Sequence, residues 1–135
     1  MKLMVNAGYV ALGAAIGGAL RYLATVYIQH RAGPGFPVAT MLINITGSLL
    51  LGFLVAYLAE TALVRPEVTL LLTSGLCGGY TTFSTFSYET FTLMRDGEYQ
   101  RAGMYIVLSV GVSLVAMFAG FAAARGAIHL QRGGA

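Results

Sequence analysis

Four long apolar stretches follow one another along the chain, at residues 5–29, 38–60, 67–94 and 102–128. Each is long enough to cross a bilayer as a helix, which takes about 20 mostly apolar residues. The connectors are short and differ sharply in character. "HRAGPGFP" (30–37) is rich in proline and glycine and reads as a loop. "ETALVRPE" (60–67) is a polar corner, "RDGEYQR" (95–101) is the most charged run, and "HLQRGGA" (129–135) leaves the membrane. None of them divides the chain into two domains. The pattern predicts an all-α membrane protein with four transmembrane helices in one domain, residues 1–135.

The third stretch breaks the pattern. Its segment "GLCGGYTTFSTFSYET" (75–90) mixes glycines and hydroxyls where an apolar helix is expected. Gly75, Gly78 and Gly79 weaken a helix, and the adjacent pair favours a break near the middle of the span. A broken helix survives at membrane depth only where its freed backbone is buried in protein or lines a cavity. Carbonyls freed in this way suit a hard cation such as Na⁺. Elsewhere small residues recur at close-packing intervals: Gly13 and Gly17, Gly47 and Gly52, and Ala116, Gly120 and Ala124. Such spacings let helix backbones approach, and packing alone accounts for them.

Two polar stripes lie within the apolar helices. Thr40, Asn44 and Ser48 share a face of the second span, and Tyr105, Ser109 and Ser113 share a face of the fourth. An amide in hydrocarbon requires partners. A helix-to-helix hydrogen bond and a crossing pathway both satisfy that need, and serine hydroxyls can also bond their own helix. Phe83 and Phe86 follow the glycine pair on one face. Phenyl rings carry a positive edge, which can face an anion without a full charge, although ordinary core packing also explains such a pair. Glu89 and Arg21 lie toward span ends, where an aqueous vestibule would receive them.

Composition narrows the classes. Hydrophobic residues make up 57% of the 135 residues and charged ones 10%, with a mean hydropathy of +0.75. That excludes disorder and argues against an ordinary soluble domain. The lysine and apolar run at the start resemble a signal peptide, but the apolar pattern continues without a cleavage site, so it reads as a retained span. The single cysteine, Cys77, cannot form an intrachain disulfide. Cys77 and two distant histidines form no zinc or nucleophile grouping, and no phosphate loop is present, so an enzyme is not expected. The net charge of +3 comes from residues scattered singly at span ends, which suits membrane flanks rather than nucleic acid. Lys2, Arg65, Arg125 and Arg132 fall on one side, and Arg21, Arg31, Arg95 and Arg101 on the other. Without a bias the positive-inside rule selects no orientation. The expectation is therefore dual topology, which permits an antiparallel homodimer.

Three motifs in order resemble the Fluc (CrcB) family of bacterial fluoride channels. They are "GAAIGGALRY" (13–22), "INITGSLLLGF" (43–53) and, most specific, "GGYTTFSTFSYE" (78–89). The resemblance covers the whole chain. It implies an antiparallel dual-topology homodimer in the bacterial inner membrane, with two pores to which both subunits contribute, exporting fluoride passively. It implies that Phe83 and Phe86 contact fluoride through ring edges, with Asn44 as an amide donor beside them. Tyr105, Ser109 and Ser113 match the family's polar track, and Thr40 and Thr82 are further contributors. It also implies a structural Na⁺ on the two-fold axis, held by backbone carbonyls of Gly78 and Thr81 from each subunit.

Two other classes share some of these features. A small multidrug-resistance-type exporter has the same size and span number but requires a carboxylate in the first span, and residues 5–29 hold none. A membrane assembly protein would use the polar stripes only to join helices.

Overall fold

The apolar stretches fold as helices because a backbone in hydrocarbon must bond within its own segment. A computed structural model describes residues 1–61 and 64–133, so part of the corner at 60–67 and the end of the 129–135 tail lie outside the described residues. The described residues form helices joined by short turns and loops, with no strand among them. Helix α1 spans Lys2–Ala32 and α2 spans Val38–Thr61. Helix α3 (Pro66–Leu70) runs into a π-helical stretch (Leu71–Cys77) and a single turn, α4 (Gly78–Tyr80). Helices α5 (Phe83–Arg95) and α6 (Tyr99–Gly133) complete the order. Among the described residues three helices, α1, α2 and α6, are long and apolar enough to cross a membrane. The third predicted span corresponds to α3 through α5 and is divided at Thr81–Thr82.

Local chemistry sets the turns. Gly33 adopts φ 80°, a left-handed conformation natural to glycine, and its N–H returns to the Gln29 carbonyl to close α1. Gly97, also at φ 80°, turns the chain between α5 and α6. Pro66 opens α3 at the first turn, where a missing N–H costs nothing.

The long elements alternate in direction. At one end Arg65 reaches the Tyr9 hydroxyl at 3.5 Å, Arg125 pairs with Glu60 at 3.3 Å, and Arg132 donates to the Glu60 carbonyl at 3.3 Å. These contacts gather the starts of α1 and α3 with the ends of α2 and α6. At the opposite end Arg101 donates to the Gly35 carbonyl at 3.3 Å, tying α6 to the loop after α1.

Two backbone-to-backbone seams hold the elements together. Gly13 and Gly17 are buried against the third-span backbone. Reciprocally, a Cβ on Gly75 would stand 2.8 Å from the Val10 carbonyl oxygen, and one on Gly79 would stand 2.6 Å from that of Ala14. Gly52 and Gly120 bring α2 and α6 together in the same way, Gly52 against Met117 and Phe121, Gly120 against Leu49 and Phe53. Close approach of this kind supplies the van der Waals contact that drives helix association in lipid.

The position of the break departs from the sequence expectation. Gly78 is helical, at φ −64° and ψ −37°, and Gly79 meets the neighbouring helix rather than opening the chain. The backbone becomes extended one turn later, at Thr81 (φ −77°, ψ 160°) and Thr82 (φ −152°, ψ 117°). The cause lies on α2. Asn44 accepts the Thr82 N–H through Oδ1 at 2.8 Å and donates from Nδ2 to the Thr82 carbonyl at 3.1 Å. Before the break, the Thr81 N–H and hydroxyl both donate to the Cys77 carbonyl at 3.0 Å. After it, Thr82 Oγ1 caps α5 by accepting the Thr85 N–H at 3.2 Å. The two amides that would continue the helix from the Gly78 and Thr81 carbonyls, Thr82 N–H and Thr85 N–H, are thus turned elsewhere.

The seams carry a direct test. A Cβ at Gly13 would stand 2.8 Å from the Leu76 nitrogen and 2.9 Å from the Gly75 Cα, both backbone, whereas Gly18 has open space around it. Gly13→Ala should destabilise the protein by about 1–3 kcal/mol, the cost of overpacking a rigid contact. Gly18→Ala, on the same helix, should be neutral or slightly stabilising. Thermal unfolding in one detergent compares the two.

Candidate functional site

The break opens onto a groove of about 410 Å³ between α2, α5 and α6. Asn44 and Thr82 stand at one wall, Phe83 and Phe86 at another, and Ser109 and Ser113 at the third. Thr81, Ser48 and an apolar edge of Leu51, Leu114 and Met117 also line it, and among the described residues no charged side chain does.

Each wall has a local cause. On α6, Ser109 and Ser113 are four residues apart and face the same way. Their Oγ atoms are both buried and neither has a hydrogen-bond partner. A buried hydroxyl without a partner is costly, on the order of 1–3 kcal/mol, and calls for an explanation. On α5, the capped first turn sets Phe83 and Phe86 side by side, with ring centroids 5.6 Å apart. Their environments differ: Phe86 is 9% exposed and Phe83 is 78% exposed. The Asn44 amide lines the same groove as both rings, but one of its two N–H groups and its oxygen are committed to Thr82.

Next to the groove, three residues from three helices meet. The Glu89 carboxylate accepts the Thr40 hydroxyl at Oε1 (2.9 Å) and the Tyr105 hydroxyl at Oε2 (2.6 Å). Hydrogen bonds to a charged acceptor are short and strong. Thr40 and Tyr105 are almost fully buried. The Tyr105 ring packs on Phe86 at 5.2 Å and receives Phe36 edge-on at 5.6 Å. A continuous aromatic contact therefore runs from Phe83 through Phe86 and Tyr105 to Phe36.

The predicted residues separate into groups. Asn44, Thr82, Phe83, Phe86, Ser109 and Ser113 come together at the groove. Thr40, Tyr105 and Glu89 form the adjoining cluster, in which both hydroxyl protons point at the carboxylate. Arg21 is half-buried on α1, and neither hydroxyl that holds Glu89 belongs to that helix. Gly78 and Thr81 flank the break. Sequence reasoning missed Phe36, which sits in the proline-glycine loop where no periodicity marks it. It also left Ser48 outside the site, although its i+4 spacing from Asn44 was visible.

The arrangement can do little bond-breaking chemistry. It offers neutral donors, phenyl rings and an uncharged lining, which suits transient contact with a small anion.

Comparison with known proteins agrees with this. Residues 8–121 match the family described as CrcB-like protein, Camphor Resistance (CrcB). A protein of Rhizobium meliloti (strain 1021) named fluoride-specific ion channel FluC is 44% identical over 116 residues, covering 86% of this chain and 93% of the relative. Proteins of the same name from Aquifex aeolicus (strain VF5) and Roseobacter denitrificans are 43% and 46% identical, covering 81% and 87% of this chain and 86% and 93% of their own lengths. With a match over most of its length and relatives this similar, the chain belongs to the CrcB family.

Proposed function

We propose that the protein is a fluoride-selective channel of the bacterial inner membrane that lets fluoride leave the cytoplasm down its gradient. The observation that carries this reading is the pair of buried, unpartnered hydroxyls, Ser109 and Ser113, facing Phe83 and Phe86 across a groove without charges. Fluoride is small and holds its water tightly, so a pathway must offer donors that replace that water at nearly equal energy. Hydroxyls meet this requirement, and so does the remaining N–H of Asn44. A full positive charge in the pathway would hold the ion too firmly for it to leave. Ring edges at Phe83 and Phe86 add weak, repeated contacts. Both Glu89 oxygens accept hydroxyls, from Thr40 and Tyr105, so Glu89 orients the Tyr105 ring beside Phe86 without facing the anion directly.

The functional unit is an antiparallel homodimer of four-span subunits with two pores. The exposed Phe83 ring and the one-sided groove support this, since a second copy would cover both. The same assembly would bring two sets of Gly78 and Thr81 carbonyls together. Both carbonyls are without their helical donors, and uncharged oxygen ligands fit a sodium ion. Na⁺ bound there would neutralise the partial negative charge of the open backbone.

Three tests follow from this reading. Protein reconstituted in fluoride-loaded vesicles should release fluoride without a proton gradient, and Phe83→Ile or Phe86→Ile should reduce the rate at least tenfold with the oligomer intact. Proton-driven movement of an organic cation with no fluoride release would instead indicate a small multidrug-resistance-type exporter. Ser109→Ala with Ser113→Ala should slow fluoride release while leaving the thermal midpoint unchanged or raised, because these hydroxyls satisfy no other group. Unchanged release would remove the polar track from the pathway. Exchanging Na⁺ for a larger cation should lower the thermal midpoint of the wild type. Asn44→Ala, which frees the Thr82 N–H to return to Gly78, should lose that dependence on sodium.

A further inference from the structure

The end of α6 carries a second feature, away from the groove. Helix α6 has 35 residues, about 52 Å at 1.5 Å per residue, against about 40–45 Å for a bilayer with its headgroups. A helix of that length cannot lie wholly within the hydrocarbon, so its polar last turns extend at least as far as the headgroup layer. There Arg125, His129 and Arg132 lie on one exposed face and, with Glu60 of α2, line a cavity of about 570 Å³.

Both arginines meet α2 at Glu60, where the carboxylate competes for Arg125 and the backbone carbonyl holds Arg132. Glu60 pairs with Arg125 through its carboxylate at 3.3 Å, and its backbone carbonyl accepts one N–H of Arg132 at 3.3 Å. A guanidinium has five N–H donors, so both arginines keep donors directed outward. Among the described residues Glu60 is the single carboxylate lining the cavity, against Arg125 and Arg132, so positive charge prevails. The same face of α6 then changes character. Inward from Arg125, at intervals of three and four residues, come Ala122, Phe118 and Val115, all exposed; Phe118 is 74% exposed and Val115 67%. A basic cap and an apolar stripe thus share one line along the helix.

We propose that this corner binds an anionic phospholipid, its phosphate between Arg125 and Arg132 and an acyl chain along Phe118 and Val115. The charge selects an anion, and the stripe selects one that carries a hydrocarbon tail. Basic pockets beside membrane helices take lipid headgroups in this manner. The proposal is independent of the fluoride reading and is read on the protein alone.

The experiment is lipid retention by the purified full-length protein, followed by native mass spectrometry and thermal unfolding, with phosphatidylglycerol, phosphatidylcholine and inorganic phosphate compared. Phosphatidylglycerol should be retained and should protect, while the other two should not. Arg125→Gln with Arg132→Gln should weaken phosphatidylglycerol binding about thirty-fold, from roughly 1 kcal/mol per interfacial arginine. Glu60→Gln should strengthen it, because the competing carboxylate is removed. Equal protection by inorganic phosphate would overturn the lipid assignment in favour of a free-anion site. Equal retention of phosphatidylcholine, or full retention by the double variant, would overturn the site. Should the double variant fail to fold, weaker or unchanged binding in Glu60→Gln would overturn it as well.

Discussion

The architecture around the groove depends on one side-chain amide. Asn44 satisfies both the N–H and the carbonyl of Thr82. Without those two bonds an extended residue inside a membrane span would leave its backbone unpaired, at a cost of several kcal/mol per group. The cheaper state would be a continuous helix. With them, the chain can stop one helix at Tyr80 and start another at Phe83. Three features of the site follow from that interruption: the placement of the Phe83 and Phe86 rings, the capped start of α5, and two carbonyls without their helical donors. The hydroxyls of Ser109 and Ser113 come separately, from α6.

The glycine seams make this arrangement possible. Asn44 reaches Thr82 because α2 and the third segment lie close at Gly47, where an added Cβ would meet the Thr81 side chain. On the other side α1 presses on Gly75 and Gly79 and holds the first half of the third segment. The π-helical stretch lies within this contact, as such irregular turns often do beside functional sites. Rigid seams around an open break give a preorganised groove rather than a flexible one.

Electrostatics in the molecule is arranged by separation. Most formal charges stay near the ends of the helices, in pairs such as Arg95–Asp96 and Arg101–Glu98, while Arg21 lies within α1. Glu89 is the exception nearest the groove, and two hydroxyls occupy its oxygens. The groove itself presents only dipoles and ring edges. For a strongly hydrated anion this balance is what distinguishes passage from capture.

Much of this was legible in the sequence. Hydrophobic runs and the proline-glycine loop located the segments because burial in lipid demands long apolar stretches. The i, i+4 stripes identified Asn44, Ser109 and Ser113 because helical periodicity fixes which residues share a face. The tertiary structure decided what those residues do. The sequence pointed to the glycine pair as the break, since glycine weakens any isolated helix. The break instead falls at Thr81–Thr82, because Asn44, 38 positions away, offers hydrogen bonds there, and the glycines are needed for close packing. Likewise Glu89 looked like a solitary vestibule charge until the fold brought Thr40 and Tyr105 to its two oxygens. Local periodicity records the faces of helices. It holds no record of which distant partner will satisfy a polar group, and in a membrane that partner determines where a helix can end.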